Sequence, residues 1–166
     1  MEYIGPDHLW QETAMARHPR YGFLALLLLA AAMLSAQSNE MIDAILAEEA
    51  VSIGSAAYLA LSAAQLIADD ATPGHAVTVA REAGWVSGDA VADEPATFGE
   101  LAYLLMRATG VNGGLMYRLI PGPRYAAREF AYRRWSPERI GPRERVSGQF
   151  AVRVTGNFLD RVEGSR

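Results

Sequence analysis

"ADEPATFGELAYLLMRA" (residues 92–108) decides how this chain is read, because the chain says it twice. Residues 47–63, "AEEAVSIGSAAYLALSA", carry the same pattern forty-five positions earlier. Ala47/Ala92, Glu49/Glu94, Gly54/Gly99, Ala57/Ala102, Tyr58/Tyr103, Leu59/Leu104 and Ala63/Ala108 are identical pairs. Glu48/Asp93, Ser52/Thr97, Ile53/Phe98 and Leu61/Met106 are conservative ones. Each copy opens on acids, passes a hydroxyl residue and enters an apolar-rich run. A hydroxyl side chain ahead of such a run accepts a hydrogen bond from an amide of the first helical turn, so Ser52 and Thr97 are expected N-caps. Glu100, three residues after Thr97, completes a capping box, whereas Ser55 leaves the box of the first copy incomplete. The spacing predicts a helix over 98–109, with Phe98, Leu101, Ala102, Leu105 and Ala108 on one stripe and Gly110 closing it. The first copy predicts a helix over 53–67, with Ala56, Leu59, Ala60, Ala63, Leu66 and Ile67 inward. Tyr58 and Tyr103 hold equivalent places and are expected at the core or its rim.

A second pattern lies between the copies. "GHAVTVAREAGWVSGDAV" (74–91) reads as a helix over 75–83, stopped by Gly84 and followed by a turn around Gly88. Fifty residues on, Ala126, Phe130 and Trp135 stand at the offsets of Ala76, Ala80 and Trp85. After Trp135 comes the Pro/Gly-punctuated loop "SPERIGPRER", then "VSGQFAVRVTGNFLDRV" (146–162), where Ser147 is a third expected N-cap with Phe150, Val154, Phe158 and Leu159 inward. Helix, Gly-aromatic turn, loop, hydroxyl cap and helix therefore recur, and a shortened copy leads them at 42–67. Units of this length do not close their own apolar faces and must stack on neighbours. The fold class expected is all-α, built from about three helix-loop-helix units in one domain over 37–166.

"AVTVAREAGWVSG" (76–88) followed by "PATFGELAYLLMRATG" (95–110) resembles the surface-layer homology (SLH) domain. That resemblance implies three repeats packed with pseudo-threefold symmetry around a central three-helix bundle. It also implies a role in anchoring to an envelope polymer such as pyruvylated secondary polysaccharide or peptidoglycan. Thr97 and Glu100 match the Thr and Glu of the family's TRAE motif, but its Arg position holds Phe98. The other copies read "SIGS" (52–55) and "SGQF" (147–150), again without a basic residue. In the family that Arg contacts the acidic sugar. With that Arg missing from every copy, what the resemblance implies is the fold and, more weakly, an envelope role.

The N-terminal segment supports export. In "MARHPRYGFLALLLLAAAMLSAQS" (15–38), Arg17, His18 and Arg20 precede an uncharged apolar run, Tyr21 to Leu34, and Ser35-Ala36 supply small residues for cleavage before Gln37. The run is shorter than a membrane span needs. Residues 15–36 are expected to be a signal peptide, or else a retained anchor. Residues 1–14 read as an over-extended start ahead of Met15. The mature chain is expected in the periplasm or cell envelope, with no spanning helix.

Charge is strongly divided. Residues 37–100 carry eleven acids and one Arg, a net −10, and residues 101–166 carry twelve Arg and five acids, a net +7. Either the halves attract each other within the fold, or the basic half faces an envelope polyanion. The basic side chains are densest in "VNGGLMYRLIPGPRYAAREFAYRRW" (111–135), where Asn112-Gly113-Gly114 is turn chemistry permitting positive φ. Arg118, Arg124, Tyr125, Arg128, Tyr132, Arg133 and Trp135 form the candidate ligand-binding set. Guanidinium forks suit carboxylate or phosphate, aromatics stack on sugar faces, and a helix over 124–134 would align Tyr125, Arg128 and Tyr132 along one edge. The competing expectation is that these Arg pair with Glu129, Glu138, Glu144 and the acidic half.

Enzyme chemistry finds little to work with. The chain has no cysteine, and His75 is the one histidine beyond the N-terminal segment, so no usual zinc site is available. No Gly-x-Ser-x-Gly elbow occurs. Glu48/Glu49 and Asp93/Glu94 precede helices, where acids favour the positive end of the dipole. The function expected is a non-catalytic, cofactor-free and metal-free module binding envelope polysaccharide or peptidoglycan. The alternative is a periplasmic assembly subunit with a protein partner. Nucleic acid is not an expected partner.

Overall fold

The computed structural model describes residues 40–164. The expected signal segment, its cleavage site and the alternative start at Met15 lie outside the described residues. Among the described residues all regular secondary structure is helical. The described residues open in helix over 40–46 (α1), which leads into α2 (Ile53–Ala63), α3 (Pro73–Glu82), α4 (Phe98–Ala108), α5 (Leu115–Leu119), α6 (Pro123–Arg133) and α7 (Gly148–Glu163).

Four of these helices start in the same way, α3 through Thr72, whose hydroxyl accepts from the His75 N–H, and α2, α4 and α7 as follows. Ser52, Thr97 and Ser147 are extended, and their hydroxyls accept from the backbone N–H groups of Ser55, Glu100 and Phe150. At Thr97 both bonds of the capping box are present. At Ser52 a substitute supplies the missing carboxylate. Glu48, four residues upstream, accepts from the Ser52 N–H at 2.6 Å and from the Ser55 hydroxyl at 2.5 Å. A glutamate before the helix does there what the N3 glutamate does at α4.

Helix starts leave further N–H groups without an intrahelical acceptor, and here neighbouring segments supply one. The Ile53 and Gly54 N–H groups donate to the Glu94 and Ala92 carbonyls, ahead of α4, each at 2.8 Å. Phe98 and Gly99 donate to Glu144 and Pro142, ahead of α7, at 2.8 and 3.0 Å. Gly148 donates to Glu48, ahead of α2, at 3.0 Å. The donations run in a circle from α2 to α4 to α7 and back. Inside it, Val51 N–H donates to Val146 and Ala96 N–H to Val51, each at 2.8 Å. These links give isolated antiparallel bridges, Ser52 to Pro95 and Thr97 to Arg145, rather than a sheet.

The close approach explains the glycines at these starts. A Cβ on Gly54 would lie 2.9 Å from the Pro73 Cβ and 3.1 Å from the Ala92 carbonyl oxygen. On Gly99 it would lie 2.6 Å from the Pro142 oxygen and 3.0 Å from that of Pro123. On Gly148 it would lie 1.6 Å from the Ile45 oxygen. Pro73 and Pro123 open α3 and α6, so α2 and α4 begin in matching surroundings.

Helix ends also recur. Gln65, Gly84, Gly110 and Arg134 are left-handed, and the next N–H reaches five residues back: Leu66 to Leu61, Trp85 to Ala80, Val111 to Met106 and Trp135 to Phe130. This is the Schellman closure. It stops α2 at Ala63, four residues short of the helix expected to run to Ile67. Leu66, expected inward, is half-exposed as a result. Nor is α2 a striped helix, since every residue from Ile53 to Leu61 is buried. It packs on α3, α4 and α7 together, which the all-round apolar composition permits. Gly113 and Gly114 do not take the positive φ allowed by the sequence. Gly113 is needed for space, because a Cβ would lie 2.7 Å from the Tyr117 side chain, whereas a Cβ on Gly114 would meet only the movable end of Glu129 at 2.7 Å.

The core joins α4, α6 and α7 through aromatic rings. Phe98 meets Phe130 and Phe150 edge-on, and Phe130 stacks on Phe158 with centroids 5.1 Å apart. Trp135 lies edge-on to both Phe130 and Phe158.

Candidate functional site

The Arg-rich segment folds as α5, a Pro121-Gly122 turn and α6, and this separates the seven candidate side chains. Trp135 is 5% exposed and belongs to the aromatic core. Arg133 is engaged on three sides: Nε pairs with Glu129 at 3.3 Å, NH2 donates to the Asn112 carbonyl at 3.1 Å, and the guanidinium lies 4.9 Å from the Trp135 ring centroid. These two hold α6 in place. Arg118 projects from α5 and is exposed.

The other four border two clefts along α6. Tyr125, Arg128 and Tyr132 line a cleft of about 310 Å³ together with Leu115, Met116 and Glu129. Arg124 lines a larger groove of about 640 Å³ with Thr97, Glu100, Pro123, Pro142 and Arg143. Arg143 is a residue that sequence reasoning missed. It sits in the loop before α7, and only the circle of helix starts brings that loop beside α6. The groove borders the start of α6, which has no side-chain cap and no acid in its first turn. Its positive dipole end therefore carries no acid from α6 itself. The one carboxylate in the groove, Glu100, is committed to the Thr97 N–H and hydroxyl at 2.7 and 2.8 Å.

A third cleft, of about 490 Å³, has the opposite character. Trp85, Val86, Ser87, Asp89, Glu94, Glu100 and Tyr103 are among the residues lining it. The Arg107 guanidinium lies 5.9 Å from the Trp85 ring centroid and 6.0 Å from that of Tyr103. The Ser87 hydroxyl donates to the Asp89 carboxylate and holds its pKa below the usual range. This cleft is acidic and aromatic, whereas the Arg124 groove is cationic.

Among the described residues, ion pairing does not join the two oppositely charged halves. Among the described residues the ion pairs are Arg133–Glu129 and Arg153–Glu138, both within the basic half. Glu144, a third expected partner, accepts instead from the Gly141 N–H at 2.8 Å. Arg118, Arg124, Arg128 and Arg143 pair with no acid among the described residues. Among the acids of the first half, Glu48 and Glu100 serve helix starts.

No group of three His, Asp or Glu side chains among the described residues is placed to hold a metal ion, and no helix among them is long and apolar enough to cross a membrane. No family model, curated protein or solved structure matches this chain.

Proposed function

We propose that the chain is a non-catalytic cell-envelope module that holds an anionic envelope polymer, peptidoglycan or a secondary polysaccharide, in the groove beside α6. The observation that carries this reading is the pairing of Arg124 with Arg143 on one groove, neither engaged by an acid among the described residues, at an uncapped helix start. Guanidinium groups favour carboxylate or phosphate, and so does the positive end of a helix dipole. Tyr125 and Tyr132, on the same helix, offer ring faces for sugars.

The same reading takes the domain as a degenerate SLH-like module of three units, exported to the periplasm or envelope. The circular hydrogen bonding of three capped starts supports it, as do the matching surroundings of α2 and α4. Phe98 stands where the family has its sugar-contacting Arg and is fully buried, ring against Phe130 and Phe150. Anion binding in this chain thereby moves to Arg124 and Arg143, outside the TRAE position.

Co-sedimentation with purified sacculi tests the proposal. Retention is expected to fall as salt rises, since exposed charges are screened. The double substitution Arg124→Glu/Arg143→Glu removes two charge-assisted contacts, each worth about 1.5–3 kcal/mol, so retention drops at least about tenfold while the helical circular-dichroism spectrum is kept. Unchanged retention by a folded double variant refutes the groove as the site.

A further inference from the structure

Among the described residues, most of the exposed large apolar side chains gather in one place. Leu115, Met116, Leu119 and Ile120 are each more than half exposed, and Tyr132, which shares the 310 Å³ cleft with Leu115 and Met116, is 86% exposed. The first four stand on α5 and the residue after it, a segment held firmly from below, and Tyr132 stands on α6. Tyr117 points inward, is buried, and meets Tyr103 edge-on. Glu129 on α6 abuts Gly114. The apolar side chains are thus displayed on a fixed platform. Cations surround them: Arg118 lies between them on α5, and Arg128 lines the same cleft, neither paired with an acid among the described residues. Glu129, the one acid of that cleft, is neutralised by Arg133.

We propose that this face docks on an anionic lipid bilayer, with Leu115, Met116, Leu119 and Ile120 entering the headgroup region and Arg118 and Arg128 meeting lipid phosphates. Charge selects the occupant. A second copy placed face to face would bring Arg118 and Arg128 of both copies together around an apolar centre, where like charges repel. An anionic bilayer offers the opposite sign at the rim and an apolar layer at the centre, and Tyr132 suits the interface between them. The contact is peripheral and reversible, because few apolar side chains take part and the electrostatic share is screened by salt. It shares only Tyr132 with the polymer reading, uses none of the Arg124–Arg143 groove, and its test does not depend on that reading.

The absence of native cysteine makes the test direct. The full chain carrying Leu119→Cys is labelled with an environment-sensitive fluorophore, and a control carries the label at exposed Thr78 on α3. Each is titrated with vesicles of mixed phosphatidylglycerol and phosphatidylcholine, and with phosphatidylcholine alone. The Leu119 label is expected to shift to the blue on the mixed vesicles and the Thr78 label to keep its aqueous emission. Adding Arg118→Glu/Arg128→Glu to the Leu119→Cys chain is expected to weaken the vesicle concentration dependence at least about tenfold. Three results overturn the proposal: no vesicle binding, aqueous Leu119 emission on a vesicle-bound chain, or a Leu119 shift that follows protein concentration without lipid. The last would make the face a contact between copies.

Discussion

Two alanine substitutions in α7 should have opposite signs, and the difference measures whether the circle of helix starts is closed. Gly148 is buried at the first position of the helix, and a Cβ there would lie 1.6 Å from the Ile45 carbonyl oxygen. Ordinary carbon–oxygen contact is about 3.3 Å or more, so the two backbones must part by well over an ångström. The Gly148–Glu48 bond at 3.0 Å and the Val51–Val146 bond at 2.8 Å cross the same joint. Overpacking costs about 1–3 kcal/mol, and a buried N–H left without an acceptor about 1–3 kcal/mol more. Gly148→Ala should therefore destabilise by about 3–5 kcal/mol. Gly156, in the same helix, is exposed, and a Cβ there would have nothing within 4 Å. Gly156→Ala should stabilise by about 1 kcal/mol through helix propensity. For a domain of about 125 residues, one kcal/mol moves Tm by about 4 °C. Thermal unfolding followed by circular dichroism should thus place the two variants about 16–24 °C apart. Gly99→Ala, 2.6 Å from the Pro142 carbonyl, should fall between them, and Gly54→Ala, whose nearest neighbour is the Pro73 side chain at 2.9 Å, should cost least of the three cap-adjacent glycines. A Gly148→Ala chain as stable as Gly156→Ala would refute the close approach of α7 to the α1–α2 segment, and the circle with it.

Tyr117 sets an alkaline limb. Burial, reinforced by Tyr103, pushes its phenol up to about 12, and its hydroxyl is buried without a hydrogen-bond partner. The unfolded chain loses this proton near pH 10, while the folded chain keeps it to about pH 12. Between those values the unfolded state binds fewer protons, so stability falls as pH rises, by roughly 2 kcal/mol. Urea unfolding should show this decline, and Tyr117→Phe should flatten it with little loss of stability at pH 7. Glu48→Ala should destabilise by about 2 kcal/mol, because it strips the Ser52 N–H and the Ser55 hydroxyl of their shared acceptor. Glu48→Gln, which keeps an acceptor oxygen, should recover part of that loss in the same unfolding assay.

The local features were legible because they depend on neighbours in sequence. Ser52, Thr97 and Ser147 close helix starts through bonds to residues three positions on, and the Thr97/Glu100 box needs nothing beyond its own turn. Gly84 and Gly110 end helices because only glycine takes positive φ without a steric penalty. The end of α2 was not legible, since Gln65 gives no such signal and adopts the left-handed conformation under the Leu66–Leu61 closure. The stabilising use of Glu48 was hidden for a related reason: the capping box pattern looks forward from the cap, and this acid reaches it from behind.

Sequence alone determined the helical class, the doubled unit and the sign of each half, since these follow from local capping, apolar period and charge count. Tertiary structure decided which Arg remain without an acid and where they meet. It took Trp135 into the core, tied Arg133 to Glu129, and set Arg143 beside Arg124. The physical reason is that a helix start is satisfied within a turn, whereas a groove is formed by segments far apart in the chain, brought together by backbone bonds between the α2, α4 and α7 starts that no side-chain pattern encodes.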